Sequence, residues 1–176
     1  WRSVNQAGNS FLRINITTGD RVILMMRDTP YFFYAYIGLM KIGAVPVAIN
    51  LRLSDSDVVY TINDSDASAI ILDEIFFPIY YRITSYIEKN PLVINTDKEH
   101  KDILCLSKLM ETASSKLDAV ALKNEDPALW MYSSGTTGEP KGVVHSQKTI
   151  LAADSLMGDV LKVGPGDRIF SSSKLF

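Results

Sequence analysis

The chain has 176 residues, 47% of them apolar, a formal net charge of −2 at pH 7 and one cysteine. That length and apolar content suffice for one domain with its own core, and the lack of a basic excess argues against nucleic acid as a partner. Cys105 alone excludes an internal disulfide and fits a reducing compartment, and with only His100 and His145 beside it no zinc cluster is expected.

Trp1–Gln6 is polar and shows no secretory signal, so the expected location is the cytoplasm. Gly19-Asp20-Arg21 leads into Val22-Ile23-Leu24-Met25-Met26, an uninterrupted apolar run that suits a strand buried on both faces. The segment from Thr29 to Asn50 is long and apolar with Lys41 its one charge, which raises the question of a membrane span. Gly38, Gly43 and Pro46 divide it, and it reads better as a helix followed by the strand Val45–Ile49. Thr29 is placed to cap that helix, Pro30 fits its first position and Gly43 closes it. Its aromatic stripe (Tyr31, Phe32, Phe33, Tyr34, Tyr36) is the pattern of a helix between layers.

Leu51-Arg52-Leu53-Ser54 introduces a second helix with Val58, Val59 and Ile62 on one face, and Asp66-Ala67-Ser68 leads into the strand Ala69–Leu72. A helix from Ile75 to Glu88, with Pro78 near its start, and a strand Leu92–Ile94 follow. Asp97, Lys98, Glu99, Lys101 and Asp102 form a solvated connection, Ile103–Ala113 is weakly helical, and Ser114–Pro127 is polar. Ala128–Tyr132 and Gly142–His145 are strands on either side of a loop, and Ser146 is placed to cap a helix reaching Gly158. Gly166-Asp167-Arg168-Ile169 repeats the approach Gly19-Asp20-Arg21-Val22. Strands alternating with helices imply an α/β fold: three layers, α/β/α, around a mainly parallel sheet with right-handed crossovers.

The loop between the last two strands, residues 132–142, carries the chemistry. Ser133, Ser134, Thr136 and Thr137 supply hydroxyls, Gly135, Gly138 and Gly142 permit close backbone approach, and Lys141 adds a mobile positive charge. That set suits a polyphosphate. The Walker loop needs Gly, four residues, then Gly-Lys-Ser/Thr; here the fifth residue after Gly135 is Pro140 and after Gly138 it is Val143. From the residues alone, the competing reading is a hairpin connection rich in turn-forming residues that binds nothing. His145 is open between a packed strand residue and a substrate-side group.

The run Tyr132-Ser-Ser-Gly-Thr-Thr-Gly-Glu-Pro-Lys-Gly-Val-Val-His145 resembles the signature loop of the adenylate-forming, AMP-binding superfamily, which includes acyl- and aryl-CoA ligases. Gly38–Val47 and Asn50-Leu51-Arg52-Leu53-Ser54 are similar to the opening third of a CoA ligase. Met25–Pro30 and Ser173–Phe176 are similar to benzoate-CoA ligases and their aryl relatives. Gln147 stands where many relatives carry His.

The resemblance implies that residues 1–176 are a partial amino-terminal domain of an adenylate-forming enzyme. The activity implied is ATP-dependent ligation of a carboxylic acid, an aromatic one such as benzoate, to coenzyme A through an acyl-adenylate, with ATP, Mg2+ and CoA as cofactor and cosubstrates. Ser133, Ser134, Gly135, Thr136, Thr137, Gly138 and Lys141 would then hold the β- and γ-phosphates, with Thr136, Thr137 and Lys141 the direct contacts. No catalytic residue or metal ligand is assigned within the chain. The adenine, ribose and magnesium segments and the mobile carboxy-terminal domain with its adenylation lysine are not in the sequence. The chain by itself is therefore expected to be inactive, and marginal or self-associating through uncovered apolar surface. Two alternatives use the same loop: an adenylation domain that loads a carrier protein, and a noncatalytic nucleotide-binding module.

Overall fold

Strand β1 (Arg21–Met25) is buried throughout beyond Arg21, as an unbroken Val-Ile-Leu-Met run requires when both of its faces are covered. In this computed structural model, which describes residues 1–133 and 138–171, β1 is the middle strand of a seven-stranded sheet. The others are β2 (Val45–Ala48), β3 (Ala69–Leu72), β4 (Leu92–Asn95), β5 (Leu104–Cys105), β6 (Pro127–Ser133) and β7 (Lys141–Ser146). Their order is β5-β4-β3-β1-β2-β6-β7. All pairs are parallel except the edge pair β6/β7.

Six α-helices flank the sheet among the described residues: α1 (Arg2–Arg13), α2 (Pro30–Lys41), α3 (Asp55–Asp64), α4 (Phe77–Ile83), α5 (Leu106–Glu111) and α6 (Gln147–Ser155). Alternation along β1 sorts them into layers, because successive strand side chains point to opposite faces. Val22, Leu24 and Met26 join Phe11 of α1, Phe32 and Leu39 of α2 and Met110 of α5. Ile23 and Met25 join Val58 and Ile62 of α3 and Phe77 and Ile83 of α4. The result is the expected α/β/α arrangement. Residues 29–50, read above as helix then strand, are α2 and β2 inside it. Among the described residues no helix is long and apolar enough to cross a membrane.

Several elements differ from expectation. Helix α1 was not foreseen, and neither was β5, a two-residue strand at the sheet edge. The expected helix Ile75–Glu88 is broken into a 3-10 turn (Glu74–Phe76), α4, and a second 3-10 turn (Thr84–Tyr86). Pro78 lies in the first turn of α4, so the helical path restarts there. Thr29 occupies the cap position of α2 in extended backbone, but its hydroxyl makes no capping bond. Ser54 does cap α3, accepting from the Asp57 N–H at 3.2 Å. Ser146 precedes α6 without a capping bond, and α6 leads into a π-helical turn at Leu156–Val160. Ile169 and Phe170 form no strand.

The Gly-Asp approach to β1 has a local physical basis that recurs. The Asp20 carboxylate accepts the Thr17 N–H at 2.7 Å while the Asp20 N–H donates to the Thr17 carbonyl at 3.2 Å. The same reciprocal pair joins Lys123 with Asp126 before β6, and Gly164 with Asp167. Gly19 and Gly166 each precede the aspartate at positive φ, 85° and 94°, where a side chain would be strained. Burial works against the Asp20 charge, but bonds from Thr17 and Ser68 and the adjacent Arg21 hold its carboxyl below the usual range.

Two further features hold the layers together. Helices α1 and α2 cross at glycine: a Cβ on Gly38 would lie 3.0 Å from the Gly8 nitrogen and 3.1 Å from both Ala7 Cβ and the Val4 carbonyl oxygen. At the carboxyl ends of the strands, buried Asp73 accepts the Arg27 N–H at 2.9 Å, the Arg27 guanidinium at 3.0 Å and the Thr96 hydroxyl at 2.7 Å. Those bonds tie the ends of β1, β3 and β4 to one another.

Tyr36 on α2 packs against the first core cluster, and burial pushes its phenol up to about 12. A phenol is neutral when protonated, so folding favours the protonated form. Its contribution to stability is complete below pH 10, the ordinary value, and is lost as pH rises from 10 through about 12. A Tyr36→Phe variant, which cannot ionise there, is expected to lose less stability over that window in urea titrations.

Candidate functional site

The loop of interest is carried by the β6/β7 hairpin. β6 runs parallel to β2, with Val47 opposite Trp130 and Ala48 opposite Met131. Its carboxyl end therefore emerges on the same side as those of β1 to β5, the side where open α/β sheets bind ligands. β7 returns antiparallel, and Ser133 stands directly across from Lys141. Directly opposed antiparallel residues have Cα atoms about 5 Å apart, so Ser133 and Lys141 bracket the mouth of the loop.

Ser133, Gly138, Glu139 and Lys141 are exposed, and Pro140 is buried beneath them. Among the described residues no carboxylate pairs with Lys141. Ser134, Gly135, Thr136 and Thr137 lie outside the described residues. Gly138 has φ 159° and nothing within 4 Å of an added Cβ. His145 pairs with Leu129 toward the far end of β7, four residues or about 13 Å along the strand from Lys141. That placement fits the packed-residue reading. Gln147 bolts the start of α6 to β6, its N–H donating to the Asp126 carbonyl at 3.0 Å and its side-chain amide to the Pro127 carbonyl at 3.2 Å.

Glycine at position 142 is a packing requirement. A Cβ there would lie 3.0 Å from Trp130 Cε2 and 3.2 Å from Tyr132 Cζ, and closer still to Trp130 Nε1. Trp130 and Tyr132 stack on one face of β6, with centroids 6.1 Å apart and planes at 18°. Both pack against the core cluster that contains α3. The Gly142→Ala substitution is expected to cost about 1–3 kcal/mol by overpacking. A lowered denaturation midpoint together with a shifted Trp130 fluorescence maximum would show it.

One contact at this site was not foreseen. The Tyr132 phenol donates to Asp64 Oδ2 at 2.5 Å, joining residues 68 apart in sequence. Burial, then this bond and the Asp64 charge, push the Tyr132 phenol up, so it stays protonated as the donor. Tyr60, one turn before Asp64 on α3, is also pushed up, by burial and then by the charges of Asp64 and Glu139. The amino-terminal flank of the loop is thus tied to the last residue of α3. The nearest hint in the sequence is Asp64 itself, an acid at a helix carboxyl end.

Chemically, the loop's hydroxyls, amides and ammonium are donors suited to phosphate oxygens. They do not suit a bare cation, and among the described residues no three His, Cys, Asp or Glu side chains cluster to hold one.

The chain is 37% identical over 176 residues to the 3-hydroxybenzoate–CoA/4-hydroxybenzoate–CoA ligase of Thauera aromatica, covering 99% of this chain and 34% of that protein. It is 38% identical over 173 residues to the 3-hydroxybenzoate–CoA ligase of Aromatoleum sp. strain CIB, covering 98% of this chain and 33% of that protein. Among solved structures, the anthranilate CoA ligase AuaEII in complex with anthranoyl-AMP superposes with a TM-score of 0.85 at 26% identity, over 90% of this chain and 31% of that one. The chain thus spans about a third of the length of these relatives. The AMP-binding enzyme family matches residues 1–176 from end to end. With the three-layer fold and the hairpin loop in place, this chain belongs to the family of AMP-binding enzymes.

Proposed function

We propose that loop 132–142 holds the β- and γ-phosphates of ATP, and that the protein containing this chain joins an aromatic carboxylic acid to coenzyme A. The observation that carries the reading is the placement of Ser133 across from Lys141 at the carboxyl end of β6, with the Ser/Thr/Gly-rich segment 134–140 between them. Fixed donors and a positive charge at that mouth would orient the polyphosphate and stabilise charge as pyrophosphate leaves. The carboxylate attacks the α-phosphorus, the bond to the β-phosphate oxygen breaks, and an acyl-adenylate forms; the CoA thiol then displaces AMP. Magnesium enters with ATP, and no step is assigned to a metal ligand of this chain.

The aromatic preference rests on the hydroxybenzoate ligases it resembles. The 176-residue chain is proposed not to turn over substrate alone. Exposed Val143, Val144, Leu151 and Phe170 on and beyond the hairpin support the separate expectation that the isolated chain is marginal or self-associating.

Carboxylate-dependent ATP–pyrophosphate exchange by the full-length protein tests the proposal, with benzoate, hydroxybenzoates, a short aliphatic acid, a fatty acid and amino acids offered separately. Exchange confined to aromatic acids, followed by CoA thioester formation, is the expected result. Exchange with amino acids and no thioester would point to carrier-protein loading. No exchange by a protein that still binds ATP would leave a noncatalytic module.

A further inference from the structure

We propose that Asp64 is a positioning residue for the phosphate loop, acting through the phenol of Tyr132. The inference rests on the polyphosphate reading above and names a residue which that reading does not include.

Tyr132 is next to Ser133, where the loop begins, and its side chain is constrained on three sides. Trp130 stacks alongside it, at 6.1 Å between centroids. Gly142, its partner across the hairpin, leaves the ring room that any larger residue would fill. Asp64 accepts the phenol hydrogen at 2.5 Å, a charge-assisted bond of the strong, short class.

The position of Asp64 is otherwise unfavourable. It is the last residue of α3, which carries no basic residue in its final turn, and a carboxylate there opposes the helix dipole. A local rule broken at one residue calls for a compensating gain, and the bond to Tyr132 is one. Helix α3 is itself fixed to the sheet through Val58 and Ile62. A path from core to loop therefore runs α3, Asp64, Tyr132, Ser133, and its failure would leave the Tyr132 ring held by stacking and packing, with its hydroxyl end unanchored.

The test is steady-state exchange kinetics in the full-length protein for Asp64→Asn, Asp64→Ala, Tyr132→Phe and the Asp64→Ala/Tyr132→Phe double variant, with Lys141→Ala as reference. Tyr132→Phe and Asp64→Ala are each expected to raise KM for ATP about three- to tenfold, with KM for the acid unchanged. The double variant should be no worse than Asp64→Ala, because the Tyr132 bond is already absent there. Asp64→Asn keeps an acceptor oxygen and should retain most of the ATP affinity.

Thermal midpoints identify any variant that fails to fold, and Tyr132→Phe and Asp64→Asn, the mildest changes, keep the test decisive in that event. Additive effects, an equal rise in KM for the acid, or unchanged KM for ATP alongside an impaired Lys141→Ala would overturn the positioning role and leave the loop reading intact. Normal ATP kinetics in Lys141→Ala would overturn both.

Discussion

Replacing Lys141 with alanine in the full-length protein is expected to lower kcat/KM for ATP by about a hundredfold, the scale seen when one preorganised charge-stabilising donor is lost. The thermal midpoint should barely move. Lys141 is exposed at the first position of β7, makes no ion pair among the described residues, and has its backbone held by the hairpin whatever its side chain. Surface substitutions of that kind usually change stability by no more than about 0.5 kcal/mol. Lys141→Arg should restore part of the activity, since the charge survives while its reach and geometry change. Pyrophosphate exchange at varied ATP concentrations reads the effect directly. Wild-type kinetics in the alanine variant would remove the loop from polyphosphate binding.

The largest expected effect on stability lies where α1 crosses α2. Gly38→Val should destabilise the fold by about 3 kcal/mol or more, at or beyond the upper end of ordinary overpacking. The atoms an added side chain would meet are the Gly8 nitrogen and the Val4 carbonyl oxygen of α1, at 3.0 and 3.1 Å. Backbone cannot rotate away as a side chain can, so α1 must shift outward or detach. A graded series, Gly38→Ala, then Val, then Leu, is expected to lower the urea midpoint step by step. Better helix propensity than glycine would offset only about 0.5–1 kcal/mol. A midpoint unchanged in the valine variant would contradict the close crossing.

Much of this architecture could be read along the chain, and what could not has definite causes. β1, β2, β3, β4, β6 and β7 announce themselves as short apolar or β-branched runs bounded by Gly, Asp or Asn, the features that periodicity detects. Helix α1 has Val4, Ala7, Gly8 and Phe11 at helical spacing, but its other residues are largely polar. Its place is secured by partners far along the chain: Asn5 donates to the Ser115 carbonyl at 2.8 Å, Gln6 to Met110 at 3.0 Å, and Asn9 to Ser114 and Lys116 at 2.7 and 2.9 Å. No local pattern encodes such bonds. β5 is two residues long, too short to show a period. At the candidate site, the donors of the loop are contiguous and so were visible as a group. Asp64 and Gly142 were not visible in their roles, because the one acts across 68 residues and the other is defined by rings on a neighbouring strand.

The position of β6 also governs the order in which the sheet can be built. After β2 ends at Ala48, the chain completes β3, β4 and β5 on the other side of β1 before Pro127 begins β6. During that interval the outer edge of β2 presents its unpaired amides and carbonyls to any strand within reach. Closing this seam is a late, long-range event, slower than pairing between strands close in sequence. The candidate loop is carried on that last-joined hairpin, so this topology assembles it after the core that supports it.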